Sequence, residues 1–142
     1  MWIYNDKEFN TEDIKDYKGF VYLITDLTTD MKYIGQKRFW RKITRPPLKG
    51  KKRKRVEYVE SDWRKYYGSN DALNLLVEST TPDRFQREIL HLCEGHGEMN
   101  YLEMYEQVTR HALLRDDYYN GIIQVRISSR HVGNLKKQFD KR

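Results

Sequence analysis

Two tyrosines, Tyr22 and Tyr33, stand eleven residues apart in the stretch GFVYLITDLTTDMKYIGQK, and Gly35 follows the second by two. Each lies in a short apolar run, residues 20–25 and 32–36, with Thr28-Thr29-Asp30 as the polar turn between them. β-Branched and aromatic residues bounded by such a turn predict a β-hairpin, which brings both phenols onto neighbouring strands. A phenol can donate or accept a hydrogen bond and can move a proton, but its ordinary pKa of about 10 keeps it protonated at neutral pH. Service as a base therefore asks for positive charge nearby, from Lys37 or an arginine. That charge is plentiful just downstream. Residues 37–58, KRFWRKITRPPLKGKKRKRVEY, hold eleven Lys or Arg and one acid, Glu57. The chain carries +6 in all, so this window is +10 and the other 120 residues are −4. Such a concentration reads as a polyanion-contacting element. The contacts it offers are Lys37, Arg38, Arg41, Arg45, Lys51, Lys52, Arg53, Lys54 and Arg55, with Phe39 and Trp40 available to stack on bases or sugars. A solvated basic loop or an address signal would have the same composition.

The elements that must position these groups follow from the rest of the chain. Its 142 residues predict one domain with a modest core, and 34% charged residues predict a heavily charged surface. One cysteine, Cys93, excludes an internal disulfide and a cysteine-rich zinc site, and fits a reducing cytosol. No run approaches the roughly 20 apolar residues of a membrane span, and the N-terminus MWIYNDKEFN lacks the apolar core of a secretion signal. His91, Cys93 and His96 in HLCEGH lack a fourth ligand, so a buried thiol is the better reading.

Residues 1–18 read as a preface with a short helix near 11–17 after Asn10. Pro46, Pro47 and Gly50 argue against regular structure through the middle of the basic window, which is expected to be mobile. Ser61 or Asp62 can cap a short helix carrying Trp63, Arg64 and Tyr67, with Gly68 as its stop. Residues 71–78 predict a helix after an Asn70 cap, and 84–92 a third strand. Residues 98–115 predict the longest helix, burying Leu102, Tyr105, Val108 or Thr109, and Ala112 on one face. Residues 122–127 read as a short extended segment, and the tail 128–142 as a basic, helical end. The fold expected is α/β: a small three-stranded antiparallel sheet flanked by helices.

The hairpin resembles the GIY-YIG nuclease superfamily. Phe20-Val21-Tyr22 is a degenerate form of the first triplet, and Tyr33-Ile34-Gly35 is the second intact. The resemblance covers about residues 18–122, with 37–58 as an insertion. The insertion and the stretch DWRKYYGSN look like phage-encoded stand-alone nucleases near the homing-type enzymes.

The resemblance implies a divalent-metal-dependent DNA endonuclease. Tyr33 would be the general base, Tyr22 would hydrogen-bond the attacking water or the phosphate, and Gly35 would let the backbone approach the substrate. Glu103 in NYLEMYEQ would hold Mg²⁺ or Mn²⁺, with Glu106 as the ordinary alternative. Asn120 in YYNG would complete the site. The catalytic arginine is transferred to Arg64, with Arg38, Arg41 and Arg45 open, and Tyr66 or Tyr67 stands where the family often has a histidine. A hard divalent ion that keeps several waters needs few carboxylates, so one glutamate suffices. Double-stranded DNA is the expected partner, with a monomer or weak homodimer, in the cytoplasm of a bacterial host if the chain is phage-encoded. A non-catalytic nucleic-acid-binding module on a nuclease scaffold is the alternative.

Overall fold

The computed structural model describes residues 1–140. The chain opens with a hairpin, β1 (Trp2–Tyr4) and β2 (Lys7–Phe9), turned by Asn5 and Asp6 at φ of 50° and 65°. Asn and Asp are the non-glycine residues that best tolerate these left-handed values, and a two-residue hairpin turn of this kind demands them. A single 3₁₀ turn, Thr11–Asp13, stands where a helix near 11–17 was expected. Next come β3 (Gly19–Asp26) and β4 (Lys32–Arg38), the predicted hairpin, in a register that sets Tyr22 opposite Gly35 and Ile24 opposite Tyr33.

The basic window is not irregular throughout. β5 (Trp40–Arg45) and β6 (Arg55–Glu60) pair with each other in a separate antiparallel ribbon, and only residues 46–54, with Pro46, Pro47 and Gly50, form its tip. The Trp63–Lys65 segment is one 3₁₀ turn rather than a helix. Helix α1 (Asp71–Ser79) starts under the predicted cap: the Asn70 side chain accepts a hydrogen bond from Leu73 N at 3.0 Å. Strand β7 (Phe85–Cys93) and helix α2 (His96–Thr109) follow, then α3 (Gly133–Asp140). Residues 141–142 of the predicted basic tail lie outside the described residues.

The sheet is mixed and five-stranded, in the order β2-β1-β7-β3-β4, with β1 parallel to β7 and the other pairs antiparallel. It is larger than the three strands expected because the N-terminal hairpin docks on β7. Side chains alternate across the sheet. Trp2, Phe20, Tyr22, Ile24 and Ile89 share one core with Phe9, Phe39, Trp63 and Leu73. Val21, Leu23, Ile34 and Cys93 face the other way, onto Met99 and Leu102 of α2. Helix α2 ends earlier than expected, and His111 beyond it takes φ 58°. Its inward face also differs: Glu98, Met99, Leu102 and Gln107 are buried, whereas Tyr105 and Val108 are exposed.

The turn between β3 and β4 is pinned by a buried ion pair. Asp26 is fully buried, accepts from Arg84 Nε and Nη2 at 2.7 and 2.8 Å, and accepts from Thr28 N at 3.0 Å. Arg84 holds its carboxyl at about 2, against an ordinary 3.8. A depressed carboxyl stabilises the fold above its unfolded pKa and loses that contribution as pH falls through the folded one. Wild type is expected to lose stability between pH 3.8 and about 2 through this group. In acid titrations followed by circular dichroism, Asp26→Asn should be less stable at pH 7 and should lack that part of the decline. An unchanged acid profile would contradict the assignment.

A candidate active site at the open edge of the sheet

β4 is the outer strand, and both its faces and its free edge contribute. Odd residues Tyr33 and Gly35 face the aromatic core, and even residues Ile34 and Gln36 face α2. The side chain of Tyr22 lies over Gly35. A Cβ at Gly35 would stand 2.3 Å from Tyr22 Oη. The space over this glycine is thus filled by the Tyr22 phenol, which corrects the expectation of a bare backbone open to substrate.

Tyr22 and Tyr33 are neighbours, with ring centroids 6.3 Å apart. Gly68, at φ 91°, brings the following loop down on both: a Cβ there would lie 3.1 Å from Tyr33 Cδ2 and 3.4 Å from Tyr22 Oη. The Tyr33 hydroxyl shares a hydrogen bond with Ser69 Oγ at 2.9 Å. Tyr66, of the same loop, stands edge-on to Tyr22 at 5.9 Å. Buried Arg87 anchors this loop by donating from Nη1 to the carbonyls of Arg64 and Tyr66, both at 2.9 Å.

Glu103 approaches the same edge from α2. Gln36 Nε2 donates to Glu103 Oε2 at 2.9 Å and to Asn100 Oδ1 at 2.7 Å, so the carboxylate is held while its second oxygen is left for another partner. Among the described residues Glu103 has no cationic partner. Burial raises its carboxyl above the ordinary value, opposed by the Gln36 bond. Glu106 is committed elsewhere, to His91 Nε2 and Arg110 Nε, both at 2.8 Å, and these partners lower its pKa. The geometry therefore favours Glu103 over Glu106.

Asn120 acts on backbone. Its Oδ1 accepts from Ile34 N at 3.0 Å and its Nδ2 donates to Ile34 O at 2.7 Å. With Lys32 N donating to Asp117 O and Tyr119 N donating to Lys32 O, both 2.8 Å, this closes the free edge of β4. Both halves of the amide are used on the Ile34 backbone. A cleft of about 310 Å³ opens here, lined by Tyr33, Ser69, Glu103, Gln107 and Asn120 and by residues 121–125.

Burial is the main influence that pushes the Tyr22 phenol well above its ordinary value, and Tyr66 and Tyr33 add to it. Tyr33 is also raised, first by burial and then by Glu103 and Tyr66, against the opposing Ser69 bond. No lysine or arginine among the described residues lines the cleft. Lys37 pairs with Asp62 at 2.7 Å and sits 4.2 Å over the Tyr66 ring, one contact removed from Tyr22.

None of the arginines named from the sequence lines this cleft. Arg64, on the Trp63–Lys65 turn, donates from Nη1 to Thr11 Oγ1 at 3.1 Å and lies against Trp63. Arg38 ends β4 in solvent, and Arg41 and Arg45 lie on the ribbon, Arg45 paired with Glu57 at 2.6 Å. Trp40, Lys51, Lys52, Arg53, Lys54 and Arg55 are likewise exposed on the ribbon or its tip. The structure thus brings Tyr22, Tyr33, Glu103 and Asn120 together and leaves all the arginines named from the sequence outside. Gln36 and Ser69 were missed, and Gly68, expected only as a helix stop, also packs over both tyrosines. The adjacency of Gln36 to Tyr33-Ile34-Gly35 was the one available signal.

A desolvated carboxylate with a free oxygen and no cation beside it, in a polar cleft, fits a hydrated hard divalent ion. No group of three or more His, Cys, Asp or Glu occurs among the described residues, so such an ion would rest on Glu103 and water. No helix among the described residues is long and apolar enough to cross a membrane.

No curated protein and no solved structure matches the chain. The profile of the family described as "Putative endonuclease segE, GIY-YIG domain" matches residues 2–123. That span takes in the N-terminal hairpin, both tyrosines, Glu103 and Asn120, and on this match the chain belongs to the GIY-YIG nuclease superfamily, in the family of segE-type endonuclease domains.

Proposed function

We propose that this nuclease domain is a divalent-metal-dependent endonuclease acting on double-stranded DNA, with Tyr33 as general base and Glu103 as the Mg²⁺ or Mn²⁺ ligand. The observation that carries the reading is the Glu103 carboxylate, held by Gln36 on one oxygen and unpaired by any described cation, in the cleft that Tyr33 lines. When bound, the cation supplies Lewis-acid stabilisation of charge on the phosphate and the departing oxygen.

The chain's own residues do the rest. Gln36, itself held by Asn100, fixes Glu103, and Asn120 fixes the backbone next to Tyr33. The Tyr33 phenol first gives its own proton to solvent; the phenolate Oη then takes the proton of the attacking water as the new P–O bond forms and the old one breaks, and the departing oxygen takes a proton from solvent. The raised pKa of Tyr33 keeps it protonated in the free protein, and neutralising Glu103 removes one of the influences that raise it. Tyr22 is almost wholly buried, so its hydroxyl orients Tyr33's surroundings rather than meeting bulk water. The basic ribbon supplies affinity for the phosphate backbone.

A second reading, a binding module without turnover, draws on one observation: no arginine lies at the cleft. Incubation with supercoiled plasmid in Mg²⁺ or Mn²⁺, against EDTA, separates the two. Wild type should nick or linearise only with metal, and Tyr33→Phe should slow cutting by about 10²-fold or more. Tyr33→Phe cutting at the wild-type rate would remove the base assignment. Wild type that shifts duplex DNA on a gel yet never cuts it would establish the binding module.

A further inference from the structure

The β5–β6 ribbon leaves the domain at Phe39 and returns at Ser61. Both roots are fixed. Phe39 and Trp63 are fully buried, with rings 5.2 Å apart, and Ser61 donates from N to Phe39 O at 2.7 Å and from Oγ to Arg38 O at 2.6 Å. Glu60 at the end of β6 accepts from Trp63 Nε1 at 2.8 Å. Beyond these roots the two strands pair only with each other. Residues 40–60 carry nine Lys or Arg against two acids, Glu57 and Glu60.

The register divides the ribbon into two unlike faces. One carries Arg41, Ile43, Arg45, Arg55, Glu57 and Val59. It is partly self-satisfied: Ile43 and Val59 are half-buried, and Arg45 is paired with Glu57. The other carries Trp40, Lys42, Thr44, Val56 and Tyr58, with Glu60 at its root turned onto Trp63 Nε1. It has no cover, with Val56 50% and Tyr58 67% exposed. Exposed apolar and aromatic groups on a strongly cationic arm mark a contact face whose partner is an anion with apolar features within it. Duplex DNA is such a partner. Its major groove, about 12 Å wide, admits a two-stranded ribbon between phosphate walls and shows thymine methyls and hydrogen-bonding base edges at its floor.

We propose that this ribbon enters the major groove of duplex DNA with its Lys42, Thr44, Val56 and Tyr58 face on the base edges, and so selects where the nuclease cuts. The inference rests on the reading of DNA as substrate. Lys42 and Thr44 offer polar groups to base edges, Val56 offers methyls, and Tyr58 offers a flat ring. Arg41 and Arg55, on the opposite face, have stems long enough to reach sideways to the groove's phosphate rims. Strands of six residues span about 20 Å, or roughly six base pairs. Because the roots are fixed in the core, the bases read stand at a constant offset from the Tyr33–Glu103 cleft. Double-stranded RNA, whose major groove is too narrow to read, would not be accommodated.

Two independent arms test this. In EDTA, where nothing is cut, binding to duplex DNA is measured by fluorescence anisotropy against methyl green, a major-groove ligand, and netropsin, a minor-groove ligand. Methyl green should weaken wild-type binding by about fivefold or more and netropsin should not. Arg41→Ala/Arg55→Ala should lower the slope of log affinity against log salt by about two. In Mg²⁺, cut ends from a random-sequence duplex library are sequenced. Wild type should show a base preference over about six pairs at a fixed offset from the cut. Lys42→Ala/Thr44→Ala/Tyr58→Ala should erase that preference, with thermal melting checking that the fold is intact. Competition by netropsin alone, equal affinity for duplex RNA, a wild type without preference, or a preference that survives the triple substitution would each overturn the proposal. A wild type that cuts nothing in any metal would sink the nuclease reading instead, and the EDTA arm would still decide the ribbon.

Discussion

Glu103→Gln is expected to abolish metal-dependent cleavage, by roughly a thousandfold or more, while raising the melting temperature at pH 7. The loss follows from removing the charge on which the cation rests, an effect of several kcal/mol at about 1.36 kcal/mol per factor of ten. The gain follows from burial. The Glu103 carboxyl is raised above 4.5 chiefly because burial penalises its ionised form. A carboxyl that holds its proton more tightly when folded opposes folding once ionised. That opposition is absent at low pH, grows as pH rises from 4.5 through the raised value, and is complete above it. Glutamine is neutral at every pH and still offers an oxygen to Gln36. Melting curves in metal-free buffer should show Glu103→Gln higher than wild type at pH 7, on the order of 2 °C, with the two converging toward pH 4.5. A variant that melts lower at pH 7 would mean that Glu103 has a stabilising partner the geometry does not show.

Gly35→Ala should be the most damaging of the conservative changes to the fold. The added methyl would lie 2.3 Å from Tyr22 Oη and 2.6 Å from Cζ, distances no real carbon tolerates. The Tyr22 ring cannot step aside, since Trp2, Tyr33 and Tyr66 surround it at centroid distances of 5.4, 6.3 and 5.9 Å. Overpacking of this kind costs about 3 kcal/mol, which in a chain of this length lowers the melting temperature by roughly 10 °C. Cleavage should fall further than stability, because the displaced ring carries Tyr33 with it. Tyr22→Phe removes the nearest atom but leaves Cζ, so the double variant Gly35→Ala/Tyr22→Phe should recover part of the lost stability. Strict additivity of the two would show that the clash is not the cause.

The hairpin, the third strand and the Asn70 cap were legible because each rests on local chemistry: β-branched alternation, a polar turn, a side-chain oxygen before a helix. The placement of Tyr22 and Tyr33 on neighbouring strands followed from the hairpin. The N-terminal hairpin was legible too, in Asn5-Asp6 between two aromatic runs, and went unread. What could not be read was the parallel docking of β1 on β7, whose register no local signal carries across more than eighty residues. The ribbon was hidden by its composition: lysine and arginine dominate it, and prolines at its tip spoke louder than Ile43, Val56 and Val59 in its strands. In the site, the residue types of Tyr33 and Glu103 were visible, whereas Gln36 as Glu103's partner depends on a packing of α2 against β4. Where Arg64 points could not be read, because the expected helix is a single 3₁₀ turn and the partner it meets, Thr11, lies 53 residues away in sequence.

The closed root of the ribbon has a consequence for how this chain can change. Phe39 and Ser61 are already hydrogen-bonded neighbours, so everything from Trp40 to Glu60 is an excursion that starts and ends at one point of the core. Lengthening such an excursion adds only slowly to the entropy of closing it, about 0.6 kcal/mol per doubling. The arm can therefore be lengthened, shortened or exchanged for another while the tyrosines and Glu103 stay where they are. On the proposed reading of the ribbon, cutting and choosing are separable parts, and new target preferences can be tried on an unchanged cleft.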